Sequence, residues 1–134
     1  MKVVEEVELA ATPEVVWQVI GDFHAMAAWH PGVVESRAES GGKVRRLVVP
    51  DGAEVVEEQL DCVDAMACRY TILDSPMPLL RHEGLLRVEA NGAGSRVVWS
   101  CDFDAPEDAL DAVAQGMSFV FRSGLASLKA TLAG

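Results

Sequence analysis

Four side chains in this sequence have the chemistry to move a proton or to hold a polar ligand group: Glu58, Tyr70, His30 and His82. Glu58 shares its strand parity with Leu60 and Cys62 in the stretch Glu54 to Cys62. If those two face a core, so does the carboxylate, and a desolvated carboxylate has a raised pKa unless it is paired. Such a group suits general acid–base work or acceptance of a ligand's hydrogen bond. The alternative is a twisted strand edge that leaves Glu58 in water beside Glu54 and Glu57. Tyr70 shares a face with Cys68 and Ile72, and Trp99 shares one with Val97, Cys101 and Phe103, opposite the more polar Val98, Ser100 and Asp102. Both rings therefore point inward, and each carries a polar tip that needs a partner when buried. Ordinary core aromatics would show the same pattern.

The three histidines, His24, His30 and His82, are scattered. There is no HxH, HxxxH or HExxH spacing to hold a metal. His82 shares its parity with Gly84, Leu86 and Val88. The three cysteines, Cys62, Cys68 and Cys101, include no CxxC pair and are expected to be reduced thiols acting as small core hydrophobes. Cys62 and Cys68 flank a turn that can bring them close. GxGxxG, P-loop, GxSxG and kinase signatures are absent, so nucleotide and phosphate chemistry are not indicated. No metal and no cofactor are expected.

The elements that must position these groups follow from periodicity. Residues 2–10 alternate, with Val3, Val7 and Leu9 against Glu6 and Glu8, which predicts a strand with one wet face. Thr12-Pro13-Glu14 is a helix start, Val16, Trp17 and Ile20 have helical spacing, and Gly21 ends the helix. Residues 22–32 hold one short helix before Pro31-Gly32 turns the chain. Six strands follow: Val33 to Glu39, Val44 to Val49, Glu54 to Cys62, Cys68 to Leu73, His82 to Glu89 and Arg96 to Phe103. Turn signals separate them, one of them around Asp64-Ala65, and their hairpin-like spacing predicts an antiparallel meander. Asp104 then caps a long final helix with Glu107 in the capping-box position. Its apolar face is Leu110, Val113, Met117, Val120, Phe121, Gly124, Leu125 and Leu128. Gly116 and Gly124 lie inside that helix, where glycine costs about 1 kcal/mol relative to alanine. They suggest either close packing or space kept open.

Composition bounds the rest. The 134 residues are half hydrophobic, enough for one domain, 1–134, with a single core. Eleven Lys and Arg against 21 Asp and Glu give a net charge of −10. That sign is wrong for nucleic acid, which needs clustered positive charge, and for anionic membranes. No apolar run approaches the ~18 residues of a membrane span. Glu5, Glu6 and Glu8 interrupt any signal-peptide core. A soluble cytoplasmic protein, monomer or homodimer, is the expectation.

The order strand, one or two short helices, six strands, long helix is the α+β helix-grip arrangement: a seven-stranded curved antiparallel sheet around a C-terminal helix. In that order the chain resembles the SRPBCC superfamily of START-like lipid-transfer domains, the birch-pollen-allergen fold and polyketide cyclase/dehydrase-like proteins. The stretches that carry the resemblance are Thr12 to Trp17, Gly21-Asp22-Phe23 through Trp29-His30-Pro31-Gly32, Leu60 to Asp64, Tyr70-Thr71-Ile72, Ser75-Pro76-Met77-Pro78 and Gly94 to Trp99. The resemblance implies a ligand cavity between long helix and sheet. It places Trp29 and His30 beside that cavity and the loop of Met77 and Leu79 at its mouth as a lid. Glu58, Tyr70, His82 and Trp99 would then contribute from the sheet, and Met117, Val120 and Phe121 from the helix. Two functions are compatible. One is a carrier holding a small hydrophobic or aromatic ligand such as a lipid. The other is a polyketide cyclase or dehydratase using Glu58, Tyr70, His30 or His82. Convergence of two titratable tips on one point separates them. A third reading, a partner-regulating module with a filled core, predicts no cavity.

Overall fold

The computed structural model describes residues 1–64 and 66–133, with nothing said of the side chains of Val63, Asp64 and Ala133. The chain runs β1 (Lys2–Leu9), α1 (Pro13–Ile20), α2 (Met26–Trp29), β2 (Glu35–Glu39), β3 (Val44–Val48), β4 (Glu54–Asp64), β5 (Ala67–Asp74), β6 (Arg81–Asn91), β7 (Gly94–Asp104) and α3 (Leu110–Ala133). The seven strands form one antiparallel sheet in the order β1-β7-β6-β5-β4-β3-β2. The six later strands are therefore a meander, as their spacing predicts, and β1 closes the far edge by pairing with β7. The helix-grip architecture is the one expected. The turn foreseen around Asp64 and Ala65 falls partly on residue 65, outside the described residues.

Alternation decides which face of each strand is dry. Val3 and Leu9 of β1 are buried while Glu6 and Glu8 are exposed. Val97, Trp99, Cys101 and Phe103 of β7 face α3, whose Val113, Met117, Phe121, Leu125 and Leu128 close over them. On the outer face, arginines sit among the acids. Arg69 bonds Asp61 at 2.7 Å and Glu83 at 3.0 Å, and Arg96 bonds Glu8 at 3.1 Å and Glu89 at 3.3 Å. Exposed pairs of this kind contribute little to stability, because water and salt screen them.

Some local expectations change. The final helix does not start at Asp104. The Asp104 carboxylate accepts from the adjacent Ala105 N–H, Pro106 is extended, and a 3-10 turn at Glu107–Ala109 precedes α3. Thr12 stands at the α1 N-cap without a side-chain bond. Gly21 keeps right-handed backbone angles, so its role is steric: a Cβ there would lie 2.6 Å from the Trp17 carbonyl oxygen and 2.7 Å from its indole. Cys62 and Cys68, expected as reduced thiols, are joined by a disulfide across the β4–β5 hairpin, with Cα atoms 3.9 Å apart. Cys101 stays a buried free thiol, and burial pushes its pKa up to about 11. Among the described residues no helix is long and apolar enough to cross a membrane.

Candidate functional site

Between α3 and the β3–β5 part of the sheet lies a cavity of about 470 Å³. Leu47 (β3), Val55 (β4) and Ile72 (β5) form its sheet wall, Met26 and Val33 close one side, and Met117, Val120 and Phe121 form the helical roof. Met77 enters from the β5–β6 loop. The exposed members of the lining, Pro31, Pro50, Phe119 and Val120, mark its mouth. A second void of about 30 Å³, water-sized, adjoins it beside Trp29, Arg45, Cys68, Tyr70 and Trp99.

One wall of this apolar space is polar. Glu57 and Arg45 face each other across β3 and β4 and form a buried ion pair. The Arg45 guanidinium donates through Nε at 2.8 Å and Nη2 at 2.6 Å, both to Glu57 Oε1. Its Nη1 donates to the Phe23 carbonyl at 2.7 Å, and its plane lies 4.0 Å above the Phe23 ring. Arg45 thereby ties the α1–α2 connection to the sheet. Removing one partner from a buried pair of this kind typically costs 3–5 kcal/mol, because the other charge is left uncompensated.

Tyr70 stands next along the same wall. Its hydroxyl accepts the Trp99 indole N–H at 2.8 Å. Burial, with the nearby Glu57 charge adding to it, holds its pKa far above the ordinary phenol value, so the group is a donor and not a base. The ring has room only because residue 84 is glycine: a Cβ there would sit 2.3 Å from Tyr70 Cζ. Trp99 stacks on Phe121 with centroids 4.5 Å apart.

His30 locks the roof to the rest. Its Nδ1 accepts the Gly32 N–H at 2.9 Å, so the ring proton lies on Nε2, which donates to the Val120 carbonyl at 2.8 Å. Burial lowers its pKa, against the opposing effect of the Val120 bond. Both nitrogens are engaged, which leaves none to act on a ligand. The ring sits edge-on to Trp99 and above Gly124, where a Cβ would approach His30 Cδ2 to 2.5 Å and Trp99 Cζ3 to 2.9 Å. Gly124 is thus a close-packing glycine.

The structure sorts the sequence candidates. His30, Tyr70, Met77, Trp99, Met117, Val120 and Phe121 line the cavity. Trp29 lines only the adjoining small void. Leu79 packs on the core and does not reach the cavity lining. Glu58 faces the other way, opposite Val44 and Thr71, while Glu57 shares the inner face with Arg45 and Ile72. The parity from Leu60 failed because Leu60 is the extra residue of a β-bulge between Gln59 and Asp61 and is 42% exposed. A bulge of this kind reverses the alternation beyond it.

His82 is buried on the inner face but lies away from the cavity lining, its ring 5.5 Å from that of Tyr70. The β5–β6 ladder ends at Tyr70 and Gly84. Beyond it the Ile72 N–H donates to His82 Nδ1 at 3.2 Å, and Thr71 Oγ1 donates to the His82 carbonyl at 2.6 Å. His82 Nε2 is buried without a partner among the described residues, and burial pulls the ring's pKa down to about 4.

Sequence reasoning missed Arg45 and Glu57. A signal for them exists. They stand six residues either side of Asp51 in the Pro50-Asp51-Gly52 turn, which makes them cross-strand neighbours of opposite charge.

A curved antiparallel sheet gripping a long C-terminal helix over an apolar cavity defines the helix-grip class. The chain belongs to the polyketide cyclase/dehydrase and lipid transport family, whose sequence model matches residues 1–133, within the SRPBCC superfamily that the sequence resembles. Among solved structures it is similar to the protein XoxI from Bacillus cereus, at 27% identity and a TM-score of 0.93, covering 98% of this chain and 95% of that one. A protein from Thermobifida fusca matches at 27% identity and a TM-score of 0.83, covering 96% and 90%. The Zhui aromatase/cyclase from Streptomyces sp. R1128 shares the fold at 20% identity and a TM-score of 0.76, covering 99% and 93%. No curated protein sequence matches.

Proposed function

We propose that the protein binds or carries a small apolar molecule in the cavity beneath α3. The observation that supports this reading is the cavity itself: about 470 Å³ of mostly aliphatic and aromatic wall with few polar groups, among them Glu57, Tyr70 and Ser123. Ligand sites are typically ~300–1,000 Å³, largely apolar, with few convergent polar groups. A filled-core module would have no such space. A cyclase or dehydratase that works by acid–base catalysis needs a group free to take or give a proton at the reacting atom. Of the four sequence candidates, Glu58 points away, His82 is off the cavity, His30 has both nitrogens engaged and Tyr70 holds its proton. Glu57, the carboxylate that does line the cavity, is held by Arg45 through two hydrogen bonds, and beside Tyr70 it forms a fixed acceptor next to a fixed donor; that arrangement favours holding a ligand over transforming it.

Native mass spectrometry of the purified protein tests the reading and reports monomer or homodimer in the same spectrum. The expected result is a co-purified small apolar molecule. After its removal, a fatty acid, sterol or polycyclic aromatic should raise the melting temperature, since ligand at 100 times its Kd adds about 2.7 kcal/mol. No adduct and no thermal shift across such a panel would sink the carrier reading.

A further inference from the structure

We infer that the ligand is an uncharged apolar molecule bearing a hydroxyl group, which donates to Glu57 Oε2 and accepts from the Tyr70 hydroxyl; this rests on the cavity being a ligand site. Both Arg45 bonds go to Glu57 Oε1, and Oε2 has no partner among the described residues although Glu57 is only 6% exposed and lines the cavity. Oε2 therefore opens onto the cavity, and a ligand that covered it without donating a hydrogen bond would leave a charged acceptor unmet, which is costly. The Tyr70 oxygen accepts from Trp99, and no acceptor among the described residues takes its proton. Gln59 lies opposite Tyr70, so Glu57 is the next residue along the same face of the neighbouring strand. The Arg45 guanidinium that is bonded to Glu57 lies 5.6 Å from the centre of the Tyr70 ring, so the carboxylate and the phenol border the same stretch of cavity wall.

The wall thus offers one anionic acceptor and one neutral donor. A hydroxyl group answers both, since it donates one proton and accepts on its lone pairs. A hydrocarbon leaves both unmet. A carboxylate has only acceptors and would meet the Glu57 charge at close range, with the guanidinium opposite already bound to Glu57 Oε1 and the Phe23 carbonyl. The net charge of −10 disfavours an anionic ligand further. Leu47, Val55, Ile72, Met117 and Phe121 supply the apolar surroundings for the remainder of the molecule.

Three probes with one skeleton test this by isothermal titration calorimetry at pH 7: 4-phenylphenol, biphenyl and biphenyl-4-carboxylate. The phenol should bind roughly tenfold or more tighter than biphenyl, with the carboxylate weakest, as expected for a hydrogen bond to a charged group. Tyr70→Phe and Glu57→Gln should each shrink the ratio of phenol to biphenyl affinity, read within the same variant, to about threefold or less. Tyr70→Phe conserves shape, so the test stands even where Glu57→Gln destabilises the fold by unpairing Arg45. Biphenyl binding as well as the phenol, or the carboxylate binding tightest, overturns the hydroxyl assignment and leaves the carrier reading intact. Binding by none of the three overturns both.

Discussion

His82 is neutral at pH 7 because burial holds its pKa at about 4, with nothing nearby to compensate a positive ring. The unfolded chain's imidazole titrates near ~6.5. Between those two values the unfolded chain binds the extra proton, so the stability that a neutral buried His82 contributes is complete above the upper value and is lost as pH falls toward the lower one. His30, also lowered by burial, acts in the same direction. Urea unfolding at pH 7.5 and pH 4.5 should therefore show a loss in wild type that is about 2–3 kcal/mol larger than in His82→Gln, the carboxylates contributing equally to both. Equal losses would contradict a buried, unprotonated His82. At this scale the sequence was legible where alternation ran unbroken: Val97 to Phe103 on β7 placed Trp99 correctly inward, and Cys68 to Ile72 did the same for Tyr70. It misled at Glu58 because a single extra residue, Leu60, resets the alternation and carries no compositional mark.

The two glycines of α3 look alike in sequence and differ in the structure. Gly124 lies against the rigid rings of His30 and Trp99, whereas a Cβ on Gly116 would meet only the Met77 sulfur, at 3.9 Å. Alanine gains about 1 kcal/mol of helix propensity at either position. At Gly124 overpacking, typically ~1–3 kcal/mol, should exceed that gain. Gly116→Ala should thus stabilise by up to about 1 kcal/mol and Gly124→Ala should destabilise by about 1 kcal/mol or more, read as urea midpoints. The reverse order would mean that Gly124 is not what lets α3 approach the sheet. Element types and order were readable because their hydrophobic periods are long and uninterrupted. The start of α3 was not, since Asp104, Pro106 and Glu107 have the composition of a cap while Asp104 turns its carboxylate onto the next backbone N–H.

Seen as a whole, the molecule is solid at one side and hollow at the other. Beneath α3, the strands β1, β6 and β7 contribute Val3, Leu9, Val88, Val97, Trp99, Cys101 and Phe103 to the buried core, while β2 contributes nothing to it and β3 only Leu47. Regions with few buried apolar contacts open at lower free energy. Backbone amides of β7 should exchange with deuterium slowest, and those of β2 and β3 faster by orders of magnitude. A bound ligand should slow exchange in β3 to β5 more than in β1 or β7. Uniform protection by ligand across the sheet would argue that it binds elsewhere. The family was legible from the order of elements spread over nearly the whole chain. The polar cluster on the cavity wall was legible in principle, from the symmetry of Arg45 and Glu57 about Asp51, and was missed because parity was counted from Leu60, the extra residue of the bulge.

The contact of Gly84 with Tyr70, and of Gly124 with His30 and Trp99, also constrains how this protein can change over generations. These five residues sit on four elements and the α2–β2 connection yet form one joint, so none can be replaced by a larger residue unless a neighbour shrinks at the same step. Leu47, Val55 and Ile72 are free of that joint and border open space. Drift in what the pocket accepts is therefore cheap along the sheet wall and slow at the aromatic end. Substitutions along the sheet wall would reshape the body of the cavity while leaving its aromatic end unchanged.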